Sequence, residues 1–452
     1  MSLSKVLEEV KRDPAGFRSR SIDALVRTAV FETSPARRDE ARRDIRRAAA
    51  ALGILPASIQ DLYVAMGRGE AGGFTTPAMN LRMLTYDSAR AVFRAAKKRD
   101  VGAFILEIAR SEMGYTDQRP GEYAAVVLAA AIREGHEGPV FIQGDHFQMN
   151  AKKFAADPEV ERRAIEALIE EAIPAGFFNI DIDTSTLVDM SKASEPEQQR
   201  KNFENAAHFT RFIRAREPNG LTISVGGEIG EVGKEVSTPE EFRAFMDGYR
   251  AALPADMKGV SKISINTGTT HGGTPLPDGT VAKVEIHFDA IEAISKIARK
   301  EYGLSGAVQH GASTVAPENF HQFPEHGASE VHLATEFQNM TYEGLPKGLR
   351  DEMYAWVHAN AADERKPTDT DEQFVYRSRK KAIGPFKKAA WDLPEAVRGE
   401  IGRRLEEKFS FLFEKLRVPG TKSAVARWVR PVEIEPALAG AGAFHRDDEA
   451  GD

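Results

Sequence analysis

Eight short apolar runs alternate with longer amphipathic stretches between Gly73 and about Tyr342, and this alternation constrains the fold more than any other feature. Such runs are typical of buried strands, and the stretches between them have the spacing of surface helices. Strands separated by helices pair in parallel through right-handed crossovers, and eight such units close a barrel. We therefore predict an α/β fold of the (β/α)8 TIM-barrel class. The runs are FTTPA at 74–78, GAFILEIA at 102–109, PVFIQ at 139–143, FFNIDI at 177–182, LTISV at 221–225, VSKISI at 260–265, GAVQ at 306–309 and EVHLA at 330–334.

An open doubly wound sheet is the alternative arrangement for alternating strands and helices. That fold places a glycine-rich phosphate loop after its first strand. Neither GxGxxG nor the P-loop pattern follows any of the eight runs, so the barrel is the preferred interpretation.

The segments on either side of the barrel are predicted to be helical extensions. Apolar residues recur at helical spacing from about residue 15 to 70, and Gly72 and Gly73 mark the change of pattern. Beyond Tyr342 the chain is charged and helical again, with an apolar stripe that would pack on the barrel or on a neighbouring subunit. We expect an N-terminal extension at 1–72, the barrel at 73–342, a C-terminal extension at 343–435 and a disordered tail at 436–452. The stripe consists of Leu405, Phe409, Phe411, Leu412, Phe413 and Leu416.

Composition excludes several classes of site and partner. The chain contains no cysteine, so any metal must be bound by histidine and carboxylate ligands. The 61 basic residues are interspersed with 68 acidic ones, which argues against a nucleic-acid partner. No apolar N-terminal leader and no apolar run of about 18 residues is present, so we expect a cytoplasmic protein that does not bind a membrane.

Candidate metal ligands follow five of the predicted strands. The chemistry of a TIM barrel lies at the carboxyl ends of its strands. His146, His271 and His310 follow the third, sixth and seventh runs, and Asp183 and Glu228 follow the fourth and fifth. A single histidine at a strand end is more often a hydrogen-bonding residue, but three at corresponding ends are typical of a Zn2+ site with an open position for substrate. We therefore predict one catalytic divalent cation, zinc by preference.

Small residues follow two of the predicted ligands. Gly272 follows His271, and Gly311 and Ser313 follow His310. Glycine lets backbone N–H groups approach an anion, and barrels commonly hold phosphate in the loops after strands seven and eight. We expect a phosphorylated substrate, with tight turns as the alternative role of these glycines.

The ordered set GDH, IDTSTL, GGEIGEVGKE, NTGTTHGG, VQHGAST and HLATE resembles the class II, metal-dependent fructose-bisphosphate and tagatose-bisphosphate aldolases. The similarity spans roughly residues 74–340. It implies that His146, His271 and His310 bind the metal. It also implies that Asp183 and Glu228 form an alternate or second cation position.

The resemblance further implies residues for proton transfer and substrate binding. Asp145 would transfer the proton of the hydroxyl on the carbon chain being cleaved, and Glu235 would deprotonate the ketose phosphate. Glu231 is the second candidate for that base. The residues with implied or predicted contacts to substrate are Asn80, Ser111, Gly272, Gly311, Ser313 and Thr335.

Several positions depart from the family pattern. Gln143 replaces the first histidine of the His-x-Asp-His motif, and His332 and Ala334 stand where the family has asparagine and aspartate after the eighth strand. Pro275 stands where a lysine usually lies, and the nearest lysine is Lys283. The metal ligands are thus retained while the residues that contact the substrate are altered.

The resemblance implies a zinc-dependent aldolase, a lyase of glycolysis and carbohydrate metabolism. It would cleave a ketose phosphate reversibly through a metal-stabilised enediolate, with fructose 1,6-bisphosphate as the default substrate and glycerone phosphate and glyceraldehyde 3-phosphate as products. A sugar or sugar-phosphate epimerase or isomerase on the same barrel is one alternative, and a non-catalytic barrel subunit is another. The expected partners are a phosphorylated sugar and further copies of the chain in a homodimer or homotetramer.

Overall fold

The computed structural model describes residues 3–230, 236–268 and 286–434. Nine parallel strands in these ranges form one sheet. Each strand from β2 to β8 pairs with the next strand along the chain. β9 pairs with β2, so these eight strands close a barrel. The strands are β1 (Ile54–Ala57), β2 (Thr76–Asn80), β3 (Ile105–Ala109), β4 (Gly138–Gln148), β5 (Asn179–Asp183), β6 (Ser224–Glu228), β7 (Lys262–Ile265), β8 (Ala307–Gln309) and β9 (Glu330–Leu333).

The eight predicted runs are the eight strands of the barrel, which confirms the TIM-barrel fold with helical extensions. Several strands begin later than their runs. The run at 221–225 becomes the strand Ser224–Glu228, although Ile223 is already fully buried. The apolar pattern indicates which residues are buried. Buried residues extend beyond the amino end of the strand, where hydrogen bonding to the neighbouring strands begins.

The helical prediction for residues 15 to 70 is wrong at β1. Residues Ile54–Ala57 pair in parallel with the start of β4. The side chain of Asn179 on β5 donates to the Ala57 carbonyl over 3.1 Å and accepts from the Ile59 amide over 2.9 Å. β1 therefore pairs with the first residues of β4, ahead of the stretch that pairs with β5. Four residues after an alanine-rich helix are too few to show the period of a strand.

Helices surround the barrel and form most of both extensions. No helix in the described ranges has an apolar stretch long enough to cross a bilayer. The α-helices are α1 (Leu3–Arg12), α2 (Pro14–Gly16), α3 (Ile22–Phe31), α4 (Pro35–Ala51), α5 (Gln60–Gly67), α6 (Thr85–Lys98), α7 (Arg110–Tyr115), α8 (Pro120–Glu134), α9 (Ala151–Ala156), α10 (Pro158–Ala175), α11 (Glu195–Gln198), α12 (Arg200–Arg214), α13 (Pro239–Ala251), α14 (Phe288–Tyr302), α15 (Gln322–Glu325), α16 (Thr335–Gly344), α17 (Lys347–Asn360), α18 (Asp371–Ser378), α19 (Lys387–Trp391), α20 (Glu395–Lys415) and α21 (Lys422–Trp428). Shorter helical turns lie at Phe17–Ser21, Ser185–Leu187, Ala312–Thr314, Pro317–His321, Ala362–Glu364 and Arg379–Ala382.

The C-terminal apolar stripe packs within the chain. Helix α20 carries it and packs against α6 and α16. Phe409 is fully buried, with its ring centroid 4.8 Å from that of Phe337 on α16. Arg398 at the start of α20 donates to both carboxylate oxygens of Asp87 on α6, each over 2.9 Å. The stripe therefore gives no argument for an oligomer.

Candidate metal centre

Two of the three predicted metal-binding histidines lie within the described residues, and they face each other at the carboxyl end of the barrel. Nε2 of His146, on β4, is in direct contact with Nδ1 of His310, which follows β8. The ring centroids are 4.1 Å apart and the planes cross at 87°. Nε2 of His310 lies 2.9 Å from the Ser264 hydroxyl. The third histidine, His271, falls outside the described residues, as do Gly272, Pro275, Lys283, Glu231 and Glu235.

Two carboxylates flank the other nitrogen of the His146 ring. Nδ1 lies 3.0 Å from Oδ2 of Asp183 and 3.3 Å from Oε2 of Glu228. Burial raises the pKa of Glu228 to about 8, and the neighbouring Asp183 carboxylate adds to this rise. Burial alone would raise the pKa of Asp183 as well, but the His146 ring and the hydrogen bonds from Ser185 and Gln148 lower that pKa below its usual value.

A bulge in β4 brings two consecutive side chains, Asp145 and His146, to the carboxyl end of the barrel. Adjacent residues of a regular strand face opposite sides of the sheet. The register between β4 and β5 shifts between Gly144 and Phe147, so Asp145 and His146 lie opposite the single residue Asp181. His146 has a φ of 38°, a region that residues other than glycine rarely adopt. The bulge thus places the candidate ligand His146 next to Asp145, the candidate proton-transfer group.

The donor set fits a divalent cation. His146, His310 and Glu228 can each offer one ligand atom, and these atoms lie within 4.8 Å of one another. Two imidazole nitrogens that face each other can share one proton between them at most, whereas both can donate a lone pair to a cation. Nitrogen and oxygen donors of this kind suit Zn2+ and similar ions.

Asp145 lies beside this group and is held from two strands. Its Oδ2 accepts a 2.9 Å hydrogen bond from Asn80 at the end of β2, and its Oδ1 lies 3.2 Å from Nδ1 of His332 on β9. Asn80 also donates to Glu112 over 2.8 Å. Burial alone would raise the pKa of Asp145, but the rings of His146 and His332 hold it well below its usual range.

The sequence analysis missed a charged layer directly beneath these residues. The interior of a TIM barrel is usually filled by branched apolar side chains. Here Nζ of Lys262 lies 3.0 Å from Asp181 and 2.8 Å from Oε1 of Gln143, and it also pairs with Glu330. Gln143 in turn donates to both Glu107 and Glu330. Burial raises the pKa of Glu107 to about 8 and that of Asp181 to about 6.

The layer also reaches the N-terminal extension. The hydroxyl of Tyr63, on α5, donates to the second oxygen of Glu330, and both side chains are fully buried. Tyr63 therefore connects α5 to the charged layer.

The remaining predicted substrate-binding residues lie at the ends of other strands. Ser111 is the second residue of α7, which directly follows β3, and Thr335 is the first residue of α16, one residue beyond the end of β9. Gly311 follows β8 with a φ of 68°. The Ser313 hydroxyl accepts a hydrogen bond from the Ala334 amide over 3.1 Å, which links the loops after β8 and β9. The structure thus brings these residues to the same end of the barrel as His146.

Comparison with known proteins connects this barrel to a family. A sequence model of the fructose-bisphosphate aldolase class-II family matches residues 62–390. No curated protein sequence matches the chain significantly.

Solved structures share the fold at low identity. A protein described as a tagatose 6-phosphate kinase from Sinorhizobium meliloti 1021 is 17% identical with a TM-score of 0.54, over 78% of this chain and 98% of its own. A fructuronate-tagaturonate epimerase from Cohnella laeviribosi is 13% identical with a TM-score of 0.51, over 87% of this chain and 86% of its own. A fructose-bisphosphate aldolase from Campylobacter jejuni is 18% identical with a TM-score of 0.46, over 79% of this chain and 93% of its own.

The family match covers well over half of the chain, including every barrel strand and each predicted ligand. At these identities the two solved structures with TM-scores above 0.5 support the fold alone. The chain belongs to the class-II fructose-bisphosphate aldolase family.

Proposed function

We propose that the protein is a metal-dependent aldehyde-lyase that cleaves a ketose phosphate reversibly, with zinc as the cation and fructose 1,6-bisphosphate as the default substrate. One observation carries the proposal. The candidate acid Asp145 and the candidate ligands His146, His310 and Glu228 meet at one end of a barrel that belongs to an aldolase family. An open metal site beside a proton-transfer group is what a C–C lyase without a Schiff base requires.

The residues divide the work in this proposal. His146 and His310, with His271, would hold the cation, which when bound stabilises negative charge on the substrate oxygens. During cleavage the hydroxyl proton of the substrate passes to Asp145 as the C–C bond breaks, and the hydroxyl carbon becomes the aldehyde. In the direction of condensation Glu235 removes the carbon-bound proton of the triose phosphate.

The test combines metal content with a coupled assay of triose phosphate release. We expect about one divalent cation per chain and release from fructose 1,6-bisphosphate that a chelator abolishes. His146→Ala and His310→Ala should lose both the metal and the activity. His208→Ala is the matched control, because His208 lies on α12 with 36% of its side chain exposed and pairs with Glu166. Metal-free protein, or metal loading that survives both histidine substitutions, would refute the proposal.

An epimerase of a sugar or sugar phosphate is the second candidate. The observation that favours it is His332, which stands beside Asp145 where the resemblance leads us to expect an asparagine. Retro-aldol cleavage followed by re-addition on the other face needs nearly the same residues. Product analysis separates the two functions, since an epimerase accumulates a ketose isomer and releases no triose phosphate.

A further inference from the structure

His332 stands at the junction between the metal centre and the charged layer beneath it. Along β9 the side chains of Glu330 and His332 point to the same side, because they are two residues apart in a strand. Both side chains are at least 95% buried. The ring of His332 stacks on that of His310, with centroids 4.0 Å apart and planes at 29°. His332 therefore faces the interior of the barrel and offers little surface to a substrate.

Both nitrogens of the His332 ring face carboxylates. Nδ1 lies 3.0 Å from Oε1 of Glu107 and 3.2 Å from Oδ1 of Asp145. Nε2 lies 2.7 Å from Oε1 of Glu330. The ring is thus bordered by carboxylates at two edges and by the His310 ring on one face, so residues of β3, β4 and β9 and the residue after β8 surround it.

Each carboxylate oxygen of Asp145 has a nitrogen neighbour within 3.2 Å. Asn80 holds Oδ2 from β2, and His332 faces Oδ1 from β9. A carboxylate contacted at one oxygen by a side chain of β2 and at the other by a side chain of β9 cannot rotate freely about its terminal bond. An acid or base must lie within hydrogen-bond reach of the proton that it transfers. The orientation of the Asp145 carboxylate therefore affects the rate of that proton transfer.

We propose that His332 is a positioning residue that sets the orientation of Asp145 for transfer of the substrate hydroxyl proton. The inference rests on the proposed lyase function and on the role of Asp145 in it. In cleavage, the pair of electrons of the C–C bond passes to the carbon beside the carbonyl, and the hydroxyl proton passes to Asp145. A different carboxylate removes the carbon-bound proton of glycerone phosphate. His332 therefore affects the transfer of the hydroxyl proton and leaves the transfer of the carbon-bound proton unchanged.

The test measures both proton transfers in the same variants. Cleavage is followed by triose phosphate release, and the other transfer by exchange of the carbon-bound proton of glycerone phosphate with deuterium from solvent. An asparagine amide can place a donor where Nδ1 lies, toward Asp145, whereas a glutamine amide places it where Nε2 lies, toward Glu330. We expect His332→Gln to lower kcat for cleavage about 10- to 100-fold with little change in KM, metal content or exchange. His332→Asn should restore most of the cleavage rate.

The control and the contrary outcomes are defined by the same measurements. His208→Gln should change neither rate, because His208 is a partly exposed residue of α12 that pairs with Glu166. Parallel loss of cleavage and exchange in His332→Gln, or unchanged cleavage, would overturn the proposal. Should His332→Gln fail to fold, Glu107→Gln removes the charge that holds Nδ1 and should show the same selective loss of cleavage. Wild-type protein that binds metal but neither cleaves a ketose bisphosphate nor exchanges glycerone phosphate would instead overturn the proposed function, and this inference with it.

Discussion

Nδ1 of His146 lies 3.0 Å from Oδ2 of Asp183, so the other nitrogen of the ring is directed toward His310. A carboxylate behind a ligating histidine fixes the ring orientation and increases its basicity.

Replacing Asp183 with asparagine should therefore weaken metal binding without unfolding the protein. We expect Asp183→Asn to lower the affinity for a divalent cation by about 10- to 100-fold, as measured by competition with a chromophoric chelator. Asp189→Asn is the matched control, since Asp189 is 36% exposed. Its Oδ1 accepts from the Ser191 hydroxyl, and Asp189 is not among the residues grouped around the candidate metal site. Equal affinities in the two variants would show that Asp183 does not act on the metal.

Stability should fall on acidification because of His136. This ring packs against Phe93, with centroids 4.9 Å apart, and its Nε2 lies 3.1 Å from the Pro139 carbonyl. Burial lowers the pKa of His136 from 6.5 to about 4. The unfolded chain therefore takes up the proton first, so the contribution is complete above pH 6.5 and is lost as the pH falls toward about 4. We expect a loss of roughly 1–3 kcal/mol, the lower part of the range being favoured by partial exposure of the ring.

The comparison of His136→Gln with wild type isolates that contribution. Urea unfolding at about pH 7.5 and about pH 5 should give a smaller pH-dependent loss in the variant. His287→Gln, whose side chain is 54% exposed, should retain the wild-type dependence. The same loss in wild type and His136→Gln would contradict the assignment.

The C-terminal helix should behave as part of the core of the chain. Phe409 is fully buried against Phe337, whereas Phe411, two residues further along α20, is only partly buried. Phe409→Ala should cost about 3–5 kcal/mol in the free energy of unfolding, and Phe411→Ala about 1 kcal/mol or less. Denaturant titration measures both. A similar cost for the two substitutions would mean that the helix is held less firmly to α6 and α16 than its burial indicates.

The barrel could be predicted because each of its strands is a buried apolar run, and the residues just beyond the runs could be picked as site candidates. Glu107, Asp181, Lys262 and Glu330 were missed because they lie inside the runs. A charge within an otherwise apolar run is itself informative, since an inward-facing charge needs a partner. Four such charges in four runs, of both signs, indicate a charged layer in the barrel.

Two further features depend on the three-dimensional arrangement. His332 stood out only as a departure from the family pattern, and its contact with Asp145 joins residues from two strands that are not neighbours in the barrel. The strand β1 forms because it pairs with the first residues of β4 and contacts the side chain of Asn179. Neither partner can be read from the local sequence around Ile54–Ala57.

The bulge in β4 makes the chemistry of the site depend on the number of residues as well as on their identity. Asp145 and His146 reach the same end of the barrel because two residues of β4 lie opposite one residue of β5. Deleting a single residue between Gly144 and Phe147 would restore regular alternation and leave room for only one of the two side chains. A protein with a regular strand here could carry the same Asp-His dipeptide and still separate the proton-transfer group from the metal ligand.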